Sequence, residues 1–546
     1  MERNGLSPNP PKVNMPTLKV EPGNPHFAAS ATLATGGNTE TIARNTLWFG
    51  FDVAASLLTA VVTSIVIARA IGPQRLGYFN YLGWLANISA SIGCLGVPAT
   101  TRKYMAEYFG RGEPGISRAI FESSLRLQFA TAGVITSVGL ILVLAVSDRG
   151  YWGSSLFQVA SLLPAMLTWI PAQANMAAEN MRANIPSSLA SSLIYVSCVA
   201  LSLTFGWGLP GIAIGFFLGR SIEVILRLHS VRNWMSTLPS SPLPESLRGR
   251  MWNFSGFSTV LMLLQVIVWD RSDILLLKMF SASIKEITFY SVAINLTEKV
   301  LLIPQAFGGA IGASIMAQFG RDREALRLLM ARAARYMFLC GLPALAGLAL
   351  LSGPLVQTLY GRQYLPVIPV LFWAAALAIP KTMLLPALQL LQATEQQRFL
   401  IIWGCFCGAV NIVIDLLLIP SHGALGAAIG NGVGQALGVM GMWARAATLF
   451  QIELPWRDFA RIAVSGCGMA LVVFGSTLIF NGWRALAVGV VAGCLVFALM
   501  LRLFRLFTQQ DRLRVLRVTA GSARPVQIFM ERIVMAMSAP AEGKCD

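Results

Sequence analysis

Long apolar stretches separated by short polar segments make up most of the chain. A helix needs about 20 mainly apolar residues to cross the hydrocarbon core of a bilayer. The stretches do not alternate apolar and polar positions as barrel strands do, so the pattern predicts helices. We predict fourteen spans, at residues 47–70, 78–98, 121–146, 155–176, 185–205, 209–228, 254–278, 288–314, 334–356, 365–390, 399–419, 423–445, 459–480 and 484–505.

The composition also indicates a polytopic membrane protein. Of the 546 residues, 55% are hydrophobic and 12% are charged, whereas a soluble domain carries about 25% charged residues. The formal net charge of +17 is explained by basic cytoplasmic loops, so it does not indicate nucleic-acid binding. The fold class predicted from these features is an all-α membrane protein with about fourteen transmembrane helices.

The distribution of basic residues predicts the orientation in the membrane. Most loop Lys and Arg residues follow even-numbered spans, including Arg227 and Arg232 after span 6 and five arginines within 321–335. The positive-inside rule therefore places both termini in the cytoplasm. Residues 1–45 are polar and proline-rich and lack a short apolar segment with a cleavage site, so we expect a disordered tail rather than a signal peptide.

Short sequences recur between the two halves of the chain. GLPGIAIG, which begins at Gly208, recurs 215 residues later as GALGAAIG, which begins at Gly423. AENMR at 178–182 recurs as TEQQR at 394–398. Six spans separate the copies, an even number, so the two halves are parallel repeats. Parallel repeats indicate a two-lobed transporter whose binding site lies between the lobes.

The spans and the repeat together divide the chain into segments. The lobes are followed by two spans that fall outside the repeat. The predicted segments are a disordered cytoplasmic tail at 1–45, an N-lobe with spans 1–6 at 46–230, a cytoplasmic linker at 231–253, a C-lobe with spans 7–12 at 254–446, spans 13 and 14 at 458–505, and a basic cytoplasmic tail at 506–546.

Ionisable residues inside the spans are the main candidates for a functional site, because a charge at a helix centre costs about 2.5–3.5 kcal/mol on insertion scales. In WDRSDILLLKMF, at the end of span 7, Asp270 and Asp273 share a helix face and Arg271 points about 100° away. Glu298 and Lys299 lie at a similar predicted depth in span 8. This cluster either lines a hydrated substrate cavity or forms ion pairs that hold the two spans together.

Three further charged positions are weaker candidates. Asp52, near the inner end of span 1, is either a cavity residue or an interfacial one. Lys381, between two prolines of span 10, either faces a cavity or extends towards the interface. Arg220 and Glu223 are one turn apart in span 6 and are predicted to pair with each other.

Other chemistries lack their sequence signals. The eight cysteines lie mostly in apolar spans without a CxxC motif, and the three histidines are far apart, so we predict neither a disulfide framework nor a metal site. GNGVGQALG at 430–438 lies inside span 12 with glycines four residues apart, which predicts a helix-packing face rather than a nucleotide loop. No P-loop is present. We therefore predict no cofactor and no catalytic residues.

Three stretches of the sequence resemble the polysaccharide transporter and O-antigen flippase family, a branch of the multidrug, oligosaccharidyl-lipid and polysaccharide exporter superfamily. These stretches are ARAIGPQRLGYFNY, LYGRQYLPVIPVLFWAA and NIVIDLLLIPSHGALGAAIG. The resemblance implies two six-helix lobes that form a V around a central cavity lined by spans 1, 2, 7 and 8. It also implies that undecaprenyl-diphosphate-linked oligosaccharide is moved from the inner to the outer leaflet of the bacterial inner membrane.

The resulting hypothesis is a flippase for lipid-linked oligosaccharide repeat units in exopolysaccharide or O-antigen synthesis, working by alternating access. Its expected partners are the lipid-linked oligosaccharide, membrane lipids, a coupling proton or Na⁺, and the polysaccharide polymerase and export machinery. The candidate cavity residues are Arg271, Lys299, Lys381 and Asp52, and the candidates for ion coupling or charge pairing are Asp270, Asp273 and Glu298.

The sequence leaves alternatives to this hypothesis. A multidrug or cation exporter and a lipid II flippase share the same superfamily, and the acidic residues of spans 7 and 8 are compatible with the first. A membrane polysaccharide polymerase or ligase belongs to a different class. Such enzymes need catalytic groups on a large outer loop, whereas the predicted outer loops are short, so we predict a protein that is not an enzyme.

Overall fold

The structure is a computed structural model, and it describes residues 39–146, 149–264, 272–281, 283–319, 322–394 and 396–506. Every regular element within these ranges is a helix. Nine of the described helices are long and apolar enough to cross a membrane, and a bent pair, Leu58–Gly93 with Val97–Gly110, would be a tenth. The predicted all-α polytopic fold is therefore confirmed.

Helices cover the predicted spans of the N-lobe. Spans 1 and 2 lie in one helix that is interrupted at Gly72, where φ is 75°. Pro73 follows and lacks a backbone N–H, which favours a break in the helix here. The break falls inside the predicted gap between the two spans. The helices of this half are Thr39–Gly93, Val97–Gly110, Pro114–Val146, Trp152–Ala160, Leu162–Ala177, Ile185–Thr204 and Gly208–Met235, with 3-10 turns at Arg149–Tyr151 and Met181–Asn184.

The second half of the chain follows the same order. Span 7 is described as two helices on either side of residues 265–271. The helices are Glu245–Leu264, Asp273–Phe280, Lys285–Phe319, Arg323–Leu350, Ser352–Leu359, Val367–Leu377, Leu384–Ala393, Gln397–His422, Ala424–Phe450, Trp456–Ile479 and Gly482–Leu503, with 3-10 turns at Arg362–Tyr364 and Pro380–Met383.

The sequence repeat corresponds to a repeated helical hairpin. Gly208 and Gly423 both have positive φ, 59° and 52°, at the start of spans 6 and 12. A methyl group on Gly215 would lie 2.5 Å from Cys198 of span 5, and one on Gly426 would lie 2.6 Å from the backbone of Leu418 in span 11. The glycines therefore let each helix pack closely on the one before it.

The two lobes contact each other at the end that the topology assigns to the periplasm. The hydroxyl of Thr288, at the start of span 8, donates to the carbonyl of Pro73 at 2.6 Å. The hydroxyl of Tyr364, before span 10, donates to the carbonyl of Ala68 at 2.6 Å. Arg69 donates from Nε to the carbonyl of Leu359 at 2.7 Å. These bonds close the predicted outer side of the molecule.

Contacts also join the lobes at the predicted cytoplasmic end. The hydroxyl of Tyr104 donates to the carbonyl of Arg250 at 3.2 Å, and that of Ser255 donates to the carbonyl of Leu95. The guanidinium of Arg250 lies 3.4 Å from the carboxylate of Glu107. The lobes therefore meet on both sides of the space between them.

Spans 13 and 14 pack against the C-lobe outside the repeat. Ile462, Met469 and Phe497 form an apolar cluster with Leu339 of span 9. At one end of this cluster, Arg335 Nε lies 3.2 Å from an oxygen of Asp458. The opposite faces of the two helices carry exposed apolar side chains such as Leu471, Leu478 and Trp483, as a lipid-facing surface requires.

Candidate functional site

A cavity of about 910 Å³ lies between the lobes. Spans 2, 4, 5 and 6 of the N-lobe form most of its wall. Spans 7 and 8 of the C-lobe contribute Ile274, Ser291 and Glu298. The cavity runs from Phe79, near the predicted outer start of span 2, to Asn184 and Arg227, near the predicted inner ends of spans 5 and 6. Its length across the N-lobe suits an elongated ligand.

The wall of this cavity is rich in carboxamides and hydroxyls. Gln158 is 3% exposed and donates from Nε2 to the carbonyl of Phe79 at 2.9 Å. Its other atom, Oε1, accepts no hydrogen bond from the described protein groups, and the same holds for Oε1 of Gln173 and Oγ of Ser291. Buried polar atoms are normally hydrogen-bonded. These three atoms are buried, so they are satisfied only where a water molecule or a ligand hydroxyl reaches them from the cavity.

Aromatic side chains interrupt the polar wall. Trp84 and Trp169 line the cavity, and Trp169 is 51% exposed. Tyr195 and Phe216 line it as well, with their ring centroids 5.9 Å apart at an interplanar angle of 75°. Large rigid faces beside carboxamides provide both apolar contact and directed hydrogen bonds. Such a combination can hold the apolar faces and the hydroxyl groups of a sugar.

Charged residues of span 6 gather at the inner end of the cavity. Arg220 Nη1 lies 2.9 Å from Glu223 Oε2, so the predicted pair is confirmed. Arg227 Nη2 lies 2.8 Å from the other oxygen, Oε1, of Glu223. The three residues share one helix face because they are three and four positions apart. Arg227, counted above with the basic residues at the inner end of span 6, lies within the helix Gly208–Met235 and lines the cavity.

A second polar cluster is buried within the C-lobe. Asp273 is fully buried, and it accepts hydrogen bonds from three side chains on three other spans. Asn411 of span 11 donates to Oδ1 at 3.0 Å, Asn431 of span 12 donates to Oδ2 at 3.0 Å, and the hydroxyl of Tyr290 in span 8 donates to Oδ2. These bonds fix the orientation of the Asp273 carboxylate.

A second carboxyl group, that of Asp415 in span 11, completes this cluster. It is fully buried against the carboxyl of Asp273, and neither of its oxygens accepts a hydrogen bond from the described donors. Oδ1 of Asn411 also lacks a hydrogen-bond partner within the described ranges. A methyl group on Gly430 would collide with Asp415 Oδ1 and lie 3.0 Å from Asn411 Oδ1. The cluster thus presents carboxylate and amide oxygens to one another in a confined space.

Such a cluster suits a single small cation. Two buried carboxylates side by side repel each other strongly unless a proton or a metal ion lies between them. Carboxylate and amide oxygens are ligands for hard cations. Within the residues that the structure describes, no three His, Cys, Asp or Glu side chains form a group that could hold a metal ion. Two neighbouring carboxyls of this kind can share a proton.

The structure separates two of the residues predicted to act together. Glu298 lines the cavity, whereas Asp273 lies within the C-lobe cluster and does not face the cavity. Lys299 is half-buried next to Glu298 and lies outside the described cavity lining. Lys381 lies in the 3-10 turn Pro380–Met383 of span 10, also outside that lining. Their roles in substrate binding remain predictions.

The remaining predicted residues are not described at the level of their side chains. Asp270 and Arg271 lie outside the described residues. Asp52 lies in the helix Thr39–Gly93, but its side chain is outside the description. The predictions that these three residues line a cavity or bind an ion therefore stay predictions.

Four residues of the buried cluster were not predicted from the sequence. Asn411 and Asp415 are four positions apart in NIVIDLLLIP, a stretch quoted above only for its resemblance. The rule that drew attention to span 7, an acidic residue within an apolar span, applies equally to Asp415. Tyr290 and Asn431 carry no charge, and nothing in the sequence marks them as neighbours of Asp273.

Comparisons with known proteins give a family match over part of the chain and a shared fold. Residues 158–369 match the family described as polysaccharide biosynthesis protein. This region contains most of the cavity wall, including Gln158, Arg227 and Glu298. No curated protein sequence matches the chain.

Several solved structures share the fold. The lipid II flippase MurJ, in an inward closed conformation, has a TM-score of 0.67 and 14% sequence identity, with 84% of this chain and 98% of that chain covered. The resemblance to the polysaccharide transporter family is confirmed. An inward-facing multidrug resistance MATE family transporter of the MOP superfamily has a TM-score of 0.62 and 14% identity, over 72% of this chain and 94% of that chain.

A third similar structure is described as having a binding pocket of reverse polarity. It is a MOP superfamily transporter from Pyrococcus furiosus, with a TM-score of 0.55 and 14% identity over 77% of this chain and 98% of that chain. At these identities the structures establish the fold that they share with this chain. The chain is thus a multi-pass membrane protein with the fold of flippases and transporters and with a polysaccharide biosynthesis family match.

Proposed function

We propose that the protein is a flippase that moves undecaprenyl-diphosphate-linked oligosaccharide repeat units from the inner to the outer leaflet of a bacterial inner membrane. The observation that carries this proposal is the wall of the inter-lobe cavity. Carboxamides whose oxygens accept no hydrogen bond from the described protein groups, at Gln158 and Gln173, line the same cavity as Trp84 and Trp169. Sugars offer both hydroxyls and apolar ring faces, so they match this wall better than a lipophilic drug does.

The charge of the cavity supports a lipid-linked saccharide over a lipophilic cation. Its described lining has two cations, Arg220 and Arg227, and two acids, Glu223 and Glu298. Since Glu223 is already paired with both arginines, Glu298 is the acid of this described lining that an organic cation would have to use. A multidrug exporter therefore has less support. A lipid II flippase remains the second candidate, because the structure of the lipid II flippase MurJ shares the fold.

Alternating access between the two lobes provides the mechanism. The bonds of Thr288 to Pro73 and of Tyr364 to Ala68 would hold the outer side closed while the inner contacts near Tyr104 and Arg250 break and the cargo enters from the inner leaflet. Breaking the outer bonds and forming the inner contacts again would open the cavity outward. In this scheme both termini lie in the cytoplasm. The protein forms and breaks no covalent bond, and the neighbouring steps of synthesis are made by a polymerase and by export machinery.

The buried cluster of the C-lobe would couple transport to an ion. Asp273 and Asp415 come from spans 7 and 11, and Asn431 comes from span 12. A proton or Na⁺ bound between the carboxyls would stabilise the packing of these spans, and its release would loosen them. Ion movement could then drive the change between inward and outward conformations. Asp273 keeps the coupling role predicted for it, with Asp415 as its partner.

A reconstituted assay tests the flippase proposal. The protein is placed in liposomes with a fluorescent undecaprenyl-diphosphate oligosaccharide, and dithionite quenching reports how fast the label changes leaflet. We expect faster leaflet exchange than in protein-free liposomes, and an at least tenfold slower rate for the double variant Gln158→Leu, Gln173→Leu. Gln389→Leu is the matched control, since Gln389 Oε1 is also buried with no hydrogen-bond partner among the described residues but lies outside the cavity lining.

The same liposomes distinguish the alternatives. A multidrug exporter would transport ethidium when an ion gradient is applied and would leave the leaflet exchange of the lipid at the protein-free rate. A lipid II flippase would move fluorescent lipid II faster than the oligosaccharide lipid. Leaflet exchange of the oligosaccharide lipid at the protein-free rate would contradict the proposed function.

A further inference from the structure

Glu223 occupies a position between two arginines at the inner end of the cavity. Its two carboxylate oxygens are divided between them, with Oε2 at 2.9 Å from Arg220 and Oε1 at 2.8 Å from Arg227. The Glu223 side chain is only 7% exposed, whereas that of Arg220 is 39% exposed. A carboxylate that bridges two guanidinium groups in this way resembles a bound anionic ligand.

Arg227 is held in place by groups other than Glu223. Its Nε donates to the hydroxyl of Ser187 at 3.1 Å, and its Nη2 donates to the hydroxyl of Ser188 at 3.1 Å, both in span 5. Its Nη1 donates to the hydroxyl of Thr168 in span 4 at 3.4 Å. Two neighbouring spans therefore orient the guanidinium independently of the carboxylate. If the Glu223 side chain moved away, the cation would stay at the cavity wall.

Arg220 differs from Arg227 in its freedom to move. Its guanidinium lies 5.3 Å from the ring centroid of Phe216, which also lines the cavity, and more than a third of the side chain is exposed. It can therefore turn towards a ligand without leaving a buried site. Arg227, which is held in place, and Arg220, which can move, therefore form an anion site. The carboxylate of Glu223 occupies that site in the structure.

Arg220, Glu223 and Arg227 lie where the anionic part of a lipid-linked cargo would be expected. Arg227 lies at the predicted cytoplasmic end of span 6, near the depth of the inner-leaflet headgroups. Gln158, which bonds the carbonyl of Phe79, and Trp84 lie further along the cavity, whereas Trp169 and Gln173 follow Thr168, at the depth of Arg227. A cargo whose sugars occupy that wall would bring its lipid-proximal phosphates close to the arginines.

We propose that Glu223 is a built-in competitor at an anion-binding site formed by Arg220 and Arg227, and that an anionic group of the cargo displaces it on binding. The inference rests on the proposed flippase function. The anion is either the diphosphate of the lipid linker or the carboxylate of an acidic sugar, and both can accept the charge-assisted bonds that Glu223 gives up. Competition by Glu223 would keep the site from retaining its cargo after translocation.

Anion binding by the purified protein tests this inference without a transport assay. Inorganic pyrophosphate and glucuronate are titrated separately into detergent-solubilised protein by isothermal calorimetry. We expect Glu223→Gln to lower the dissociation constant of one of the two probes by about tenfold relative to the unmodified protein, since a charged competitor has been removed. The probe that gains affinity identifies the anionic group. Adding Arg227→Gln to Glu223→Gln should abolish the gain.

The chain offers a matched control in span 3. Glu122 lies between Arg118, at 2.9 Å, and Arg126, at 3.6 Å, and it is 40% exposed and outside the cavity lining. Glu122→Gln removes a carboxylate from between two arginines but should leave both affinities unchanged. Thermal unfolding of each variant identifies loss of fold, and Glu223→Asp, which keeps the charge, provides a second variant that should not gain affinity.

The outcomes separate this inference from the proposed function. If Glu223→Gln binds neither probe more tightly than the unmodified protein does, the proposal that Glu223 competes for an anion site is wrong. It is also wrong if Glu122→Gln gains as much affinity. Both conclusions hold whatever the protein transports. If the gain is found and depends on Arg227, the anion site is supported even where leaflet exchange of the oligosaccharide lipid fails.

Discussion

The hairpin of spans 5 and 6 and the hairpin of spans 11 and 12 share a backbone design but hold different side chains. A methyl group on Gly219 would lie 3.0 Å from the carbonyl oxygen of Ser191, and one on Gly434 would lie 3.2 Å from that of Cys407. These residues occupy equivalent places in the two copies of the repeat. Close helix packing has therefore been kept in both lobes.

The side chains next to these glycines differ in chemistry. Tyr195 faces the inter-lobe cavity, whereas Asn411, 216 residues later, donates to the buried Asp273. In the N-lobe, polar groups are spread over an open wall that includes Gln158 and Arg227. In the C-lobe, they converge in a closed cluster. The comparison suggests one scaffold used twice, once to hold a large cargo and once to hold a small ion.

Substitution of Asp273 should have the largest effect on stability. Asp273→Ala would leave the donors of Tyr290, Asn411 and Asn431 without their acceptor inside the membrane. Each lost bond costs about 1 kcal/mol or more, so we expect the free energy of unfolding to fall by at least about 3 kcal/mol. Thermal unfolding in detergent measures the change. A loss below about 1 kcal/mol would contradict the assignment of Asp273 as the centre of the cluster.

Asp415→Asn is the contrasting variant at the same cluster. Because the oxygens of Asp415 accept no hydrogen bond from the described donors, we expect a small change in stability without added ions. The unmodified protein should be stabilised on addition of Na⁺, or on acidification if the ion is a proton, because a ligand that binds the folded state raises the melting temperature. Asp415→Asn should lose that response. An unchanged response would show that the ion binds elsewhere.

The cavity wall of the N-lobe should respond through transport rather than through stability. Trp169 is about half exposed in the cavity, so Trp169→Ala removes a contact surface for the cargo but little buried packing. We expect leaflet exchange of the oligosaccharide lipid to slow by about tenfold. Trp483, at the start of span 14, is 65% exposed and lies outside the cavity lining, so Trp483→Ala is the control. Equal losses in both variants would count against a cargo site at Trp169.

The fold could be predicted from the sequence because span length and hydropathy are set by the bilayer itself. The break at Gly72 fell within the predicted gap between spans 1 and 2, and the glycines at 208 and 423 marked equivalent hairpins. The repeat also indicated two lobes. These features depend on local sequence, which is why composition and spacing were sufficient to find them.

The sites were predicted less well, because a position along a span does not define which neighbour each helix face meets. Depth alone placed Asp273 beside Glu298, but the packing of spans 11 and 12 turns Asp273 towards Asn411 and Asn431 instead. Arg227 was counted only with the basic residues at the inner end of span 6, and it lies in the cavity wall. Neutral residues such as Gln158 gave no signal at all.

The smallest expected effect concerns the contact between the lobes on the predicted outer side. Thr288→Val removes the hydrogen bond from Thr288 Oγ1 to the carbonyl of Pro73 and keeps the shape of the side chain. Loss of about 1 kcal/mol from the closed state shifts its equilibrium with the open state by about fivefold.

Thr477→Val is the matched control, since Thr477 Oγ1 donates at 2.7 Å to the carbonyl of Phe474 within span 13. A cysteine at position 158, which lies in the cavity wall near the predicted outer side, would report outward opening through its reaction with an impermeant maleimide in a variant without the native cysteines. We expect labelling from outside to be about fivefold faster with Thr288→Val and unchanged with Thr477→Val. Equal labelling rates in the two variants would mean that the Thr288–Pro73 bond does not hold the lobes closed.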